Sequence, residues 1–171
     1  TALYITEVKT GDHQFTTIME DYDFDHGIVG NIEDTIYLET NYKAQNWRLV
    51  KFSYDKPNPE NWKDVIPESE YPLNSVSITG GKLLVKYSKD VSSHLYVYSL
   101  DGELEKEVEL PTIGTASGFG GKQNDSEVFY NFTSFAYPPT IFRYDIEADT
   151  STLYRQSKVE VDFSLYETKQ V

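Results

Sequence analysis

The sequence has no cysteine, a single methionine, three histidines and no long apolar run, and each scarcity removes a class of protein. Without cysteine there is no disulfide, no cysteine-ligated zinc and no thiol nucleophile. No apolar stretch reaches the roughly 18 residues that a membrane-spanning helix needs. No basic n-region with an apolar h-region opens the sequence, so no signal peptide is expected within it. Positive charge is also short. Lys and Arg number 15 against 28 Asp and Glu, for a formal net charge of −13 over 171 residues. That balance argues against a nucleic-acid backbone or a membrane as partner, because both favour a positive face. Lack of cysteine does not decide the compartment; the cytoplasm is the expected location and the periplasm the alternative.

What is plentiful points to strands. Aromatic residues make up 15% of the chain, with 14 Tyr, 9 Phe and 2 Trp, and charged residues make up 25%, an ordinary value for a folded protein. Tyr, Thr, Val, Ile and Phe suit pleated, half-buried strands. Extended segments are expected at 3–8, 35–40, 48–54, 82–87, 95–100, 127–132 and 141–146. Turn signals stand at Gly11-Asp12, at Lys56-Pro57-Asn58-Pro59 and at Asp101-Gly102. No segment sustains an apolar 3.6 period. The expected class is all-β.

The strands recur at a fixed spacing. Leu3, Leu49, Leu95 and Ile141 are each 46 residues apart, and the next position holds Tyr4, Val50, Tyr96 and Phe142. An apolar segment follows each copy: 15–18, 62–66, 104–110 and 152–154. Before the last three copies come strands centred on Tyr37, Val85 and Phe129, and before those the short segments 26–31, 76–79 and 116–119. The unit is four strands in about 46 residues, the size of a β-propeller blade. Blades are expected at 21–67, 72–111 and 112–157. Residues 1–20 supply only the outer hairpin of an earlier blade, and 158–171 read as an exit strand. About three and a half blades fall short of the 4–8 that close a ring, so the chain reads as part of a larger propeller. Trp47 and Trp62 flank one hairpin, and at least one is expected to be largely buried.

Particular stretches resemble the prolyl oligopeptidase family of serine peptidases. The most specific runs from Glu127 through Phe132-Thr133-Ser134-Phe135 to Pro138-Pro139, Ile141 and Tyr144-Asp145-Ile146. Others are Asn46-Trp47-Arg48-Leu49-Val50, Glu60-Asn61-Trp62-Lys63 with Val65-Ile66-Pro67-Glu68, and Leu84-Val85-Lys86-Tyr87 to Asp90-Val91 and Leu95. The resemblance implies a seven-bladed propeller joined to an α/β-hydrolase domain, the propeller limiting access of short peptides that the hydrolase cleaves after proline. This chain resembles the second half of that propeller, with 162–171 lying where the chain crosses back to the hydrolase.

The residues themselves encode no catalytic constellation. Gly114-Thr115-Ala116-Ser117-Gly118 has the wrong spacing for a nucleophile elbow, Gly-x-Ser-x-Gly. His13, His26 and His94 stand 13 and 68 residues apart and read as loop residues. Asp21, Asp23 and Asp25 alternate as calcium ligands do but lack the glycine and closing glutamate of an EF-hand loop. Gly118-Phe119-Gly120-Gly121-Lys122 is no phosphate-binding loop, and Asn124 and Asn131 fit the glycosylation pattern with Asn131 inside a strand. No catalytic, metal or cofactor-binding residue is therefore assigned, and no cofactor is expected. Two functions remain. One is the gating segment of such a peptidase, whose partners are its hydrolase domain and short proline-containing peptides. The other is a scaffold for a protein or glycan with no catalytic partner; no Trp-Asp strand ending supports a WD40-type scaffold. Bare blade faces also predict a homodimer of the isolated chain.

Overall fold

A computed structural model describes residues 2–6 and 15–158. Among them are fourteen strands, one turn of 3-10 helix at Pro59–Asn61 and no α-helix. The expected turn at Gly11-Asp12, His13, the end of the 3–8 segment and most of the exit strand, from 159 on, lie outside the described residues. The contacts divide the chain into two compact units, Thr1–Glu70 and Tyr71–Val171.

In the first unit, β1 (Leu3–Ile5) pairs with β2 (Thr16–Met19) as a two-stranded sheet. A four-stranded antiparallel sheet follows in simple order: β3 (His26–Ile32), β4 (Thr35–Thr40), β5 (Arg48–Ser53) and β6 (Lys63–Ile66). The core joins Ile18 of β2 to Ile36, Leu38, Val50 and Phe52, with Leu3 and Ile5 packed against it.

The second unit holds two sheets of the same order. One is β7 (Leu73–Thr79), β8 (Lys82–Lys89), β9 (Ser92–Tyr98) and β10 (Leu104–Val108). The other is β11 (Thr115–Ser117), β12 (Glu127–Ser134), β13 (Tyr137–Asp145) and β14 (Thr150–Gln156). One core spans both, from Leu84, Leu95 and Val97 to Ala116, Phe119, Val128, Tyr130 and Tyr144. The second strands β4 and β8 are covered on both faces, with Ile36-Tyr37-Leu38 and Leu83-Leu84-Val85 buried without alternation, whereas β12 alternates and leaves Phe129 exposed. The third strands β5 and β9 carry the repeat positions Leu49 and Leu95, both fully buried, each such side chain contributing about 1.5–3 kcal/mol.

Several expectations need correction. The strand expected at 95–100 begins at Ser92 and ends at Tyr98, because the Asp90-Val91 turn closes the β8–β9 hairpin early and Ser99 opens the next turn by accepting Gly102 N–H. The segment expected at 141–146 begins at Tyr137, since Pro138-Pro139 sit where the β12–β13 register shifts and no ladder donor is needed. The short segment at 116–119 is a strand only over Thr115–Ser117; Gly118 takes φ 81 and turns the chain away. Trp47 and Trp62 are both part-buried, and Trp62 packs against the first unit's core. Trp62 stacks on Phe52 at 5.9 Å, but its indole N–H donates to Pro57 O at 2.8 Å, which holds it at the rim. Of the repeat-locked aromatics, Tyr4 is exposed, whereas Phe142 packs on the core and stacks on Tyr130.

Candidate functional site

The first strand of each four-stranded sheet carries several small or polar residues. β7 offers Ser75, Ser77 and Thr79; β11 offers Thr115 and Ser117, both exposed; β3 carries Gly27, Gly30 and Asn31. Apolar side chains stand among them: Ile28 of β3 is 52% exposed and Val76 of β7 is part-buried.

The glycine run Gly118 to Gly121 packs onto β7. The Gly121 N–H donates to Ser77 Oγ and Thr79 Oγ1 at 3.3 and 3.1 Å, and those hydroxyls lie 3.2 and 3.3 Å from Gly121 O. A Cβ at Gly120 would stand 2.8 Å from Ser77 Cβ. The glycines therefore let two chain segments meet at backbone distance. Sequence reasoning dismissed this run as a phosphate loop and missed its packing role, for which the small residues of β7 were the signal.

The other sequence-level candidates scatter. Asp23 N–H donates to Asp21 Oδ1 at 2.8 Å and Asp25 N–H to Asn41 Oδ1 at 2.7 Å, so this loop is held by turn and cross-strand bonds. Among the described residues no three metal-ligating side chains converge. Ser117 lies on β11 opposite Asn131 of β12, which is itself paired to Ile141. Asn124 lies in the loop before β12. His26 sits on β3, its Nδ1 2.7 Å from Thr40 Oγ1, and burial lowers its pKa from the ordinary 6.5 against the opposing pull of Asp25 and Asp21.

One row has triad-like distances that the sequence did not reveal. His94 Nε2 lies 3.3 Å from Ser92 Oγ, and His94 Nδ1 lies 3.0 Å from Glu107 Oε1. The Ser92 hydroxyl donates to Lys89 O at 2.7 Å, the shorter bond, so its proton is not directed at the imidazole. The row braces the β8–β9 turn and supplies no base-activated nucleophile. Beside it, burial and then the Glu107 carboxylate push the Tyr96 hydroxyl up to about 12.

Comparison with known proteins matches residues 1–157 to the prolyl oligopeptidase N-terminal beta-propeller domain. The chain belongs to the prolyl oligopeptidase family. Similar relatives are prolyl endopeptidases of Elizabethkingia miricola, 38% identical over 169 residues, and of Elizabethkingia meningoseptica, 36% identical; each match covers 99% of this chain and 24% of the relative. A solved prolyl endopeptidase structure superposes with a TM-score of 0.88 at 29% identity, over 95% of this chain and 24% of that one. Prolyl oligopeptidase B of Galerina marginata, bound to a 35mer hydrolysis and macrocyclization substrate, superposes with a TM-score of 0.84 at 26% identity, again over 95% and 24%. This prolyl oligopeptidase segment thus spans about a quarter of the length of the relatives it matches. Its fold class is a partial β-propeller of four-stranded antiparallel sheets.

Proposed function

We propose that this segment gates substrate entry in a serine endopeptidase that cleaves short peptides after proline. The observation that carries the reading is the family match over residues 1–157 together with first strands such as β7, whose Ser77 and Thr79 hydroxyls clasp Gly121. Such strands suit a narrow wall that admits a thin peptide and excludes a folded protein. The work of this chain is steric, and nucleophile, base and oxyanion donors come from the hydrolase domain of the parent. Purified parent enzyme should cleave a chromogenic Gly-Pro substrate and short proline-containing peptides while sparing a folded protein with exposed proline loops. The 171-residue chain alone should give background turnover. Turnover that follows this chain through orthogonal columns, or a parent indifferent to substrate size, would sink the proposal.

A further inference from the structure

The fourth strand of each four-stranded sheet is an edge, and the three edges are defended unequally. β6 is four residues long and carries Lys63 and Asp64; β10 is five residues long and carries Glu105, Lys106 and Glu107. Short length and charge keep an edge from pairing with another chain. β14 has neither defence. It runs for seven residues, Thr150–Gln156, all of them exposed, and Arg155 is its single charge. Its inner side pairs with β13, and among the described residues no strand meets its outer side. A row of backbone N–H and C=O groups faces outward there, flanked by Leu153 and Tyr154 at 56 and 62% exposure.

Charge is ordered along this strand. The turn that leads into it holds Glu147, and its far end holds Arg155, followed by Lys158. Neither Glu147 nor Arg155 has a hydrogen bond or ion pair among the described residues. No carboxylate lies from 150 to 158, in a chain whose net charge is −13. Two copies of so acidic a chain repel over most of their surface, and this edge lets them approach without setting carboxylate against carboxylate.

The direction of pairing follows from the same order. A parallel pair would set Arg155 beside Arg155 and Glu147 beside Glu147. An antiparallel pair sets the basic end of each copy against the acidic turn of the other. The β13–β14 register shifts between Ile141 and Phe142, which leaves Thr150–Leu153 as the regular part of β14. A two-fold axis centred on that part puts Ser151 opposite Thr152 of the second copy, and Arg155 opposite Ala148, next to Glu147.

We infer that β14 is a self-pairing edge. Two copies of this chain join antiparallel along it, so that two four-stranded sheets become one continuous sheet, with Arg155 of each copy paired to Glu147 of the other. The contact uses the same strand twice and therefore closes at two copies.

Sedimentation equilibrium of the 171-residue chain should show a concentration-dependent mass that reaches twice 19.7 kDa. Arg155→Glu and Glu147→Arg, made singly, should each raise the dimer dissociation constant about tenfold, because like charges then face each other across the axis. Glu147→Arg also makes the chain less acidic, so net charge alone would tighten the dimer where pairing weakens it. Made together, the two substitutions exchange the charges, and the dimer should return to near its wild-type strength. The sequence has no cysteine, so Thr152→Cys takes a single nitroxide, and the two labels of a dimer should lie within about 20 Å. A monomer mass at every concentration would overturn the inference. So would a dimer that Glu147→Arg tightens, a double variant no stronger than the singles, or labels far apart, which would assign the contact to another face.

Discussion

The imidazole of His26 stands edge-on to the indole of Trp62, with centroids 6.0 Å apart and planes at 80°. The surrounding hydrogen bonds set its tautomer. The Thr40 hydroxyl reaches Asp25 O at 3.3 Å and accepts Tyr42 N–H at 3.0 Å, so it receives His26 Nδ1–H as its second donor. The Nε2 lone pair is left buried with no partner.

That geometry predicts a pH response. Burial lowers the folded-state pKa of His26 below the ordinary 6.5, so the unfolded chain takes up the proton first as pH falls. The neutral ring's contribution to stability is complete above about 6.5 and is lost as pH drops through the interval below it. Urea unfolding should give a smaller free energy at about pH 5.5 than at about pH 7.5, and His26→Gln should flatten that difference. In a Trp47→Phe background, acid should also quench Trp62 emission only when His26 is present. An unchanged pH slope in His26→Gln would refute this role.

Gly114 offers a packing test. Its Cβ would meet Thr133 O at 2.5 Å and Phe132 Cζ at 2.6 Å, and a backbone oxygen and a buried ring cannot both yield. Gly114→Ala should cost about 1–3 kcal/mol in chemical denaturation. Gly81→Ala meets open space and suffers only the strain of φ +74, so about 1 kcal/mol is expected there.

The β13–β14 turn is pinned to the neighbouring sheet through Asp149. The Tyr144 hydroxyl donates to its carboxylate, and Lys106 Nζ reaches its carbonyl at 2.7 Å and its carboxylate at 2.9 Å. Burial works against the charge, but Tyr144 and Lys106 outweigh it and hold the Asp149 carboxyl below its ordinary 3.8. The contribution is therefore present above about pH 3.8 and fades as pH falls below it. Tyr144→Phe should destabilise by about 1–2 kcal/mol, and a double-mutant cycle with Lys106→Met should show the two losses to be non-additive.

The isolated 171-residue chain should self-associate. β14 is exposed along its whole length, and Leu153, Tyr154 and Phe129 leave apolar area on its sheet. Light scattering across a dilution series should rise above the monomer mass of 19.7 kDa, and a homodimer is the expected first species. A constant monomer mass at high concentration would contradict the expectation.

The sequence by itself determined the all-β class and the 46-residue period, because both rest on local preference and on side-chain alternation. Leu49 and Leu95 were readable as core for the same reason, and Gly102, at φ 88, as a turn. Only the tertiary structure decided where strands start and stop. Pro138-Pro139 are tolerated in β13 because a register shift frees them from the ladder, and no local rule announces a register shift. The role of Gly120 and Gly121 came from β7, more than forty residues away in sequence, and that of Gly114 from Thr133 and Phe132. In the sequence Val91 and Phe135 stood only within the stretches that carry the family resemblance. Folding places both in solvent at one end of the second unit, because two-residue hairpin turns leave their side chains no sheet to pack on.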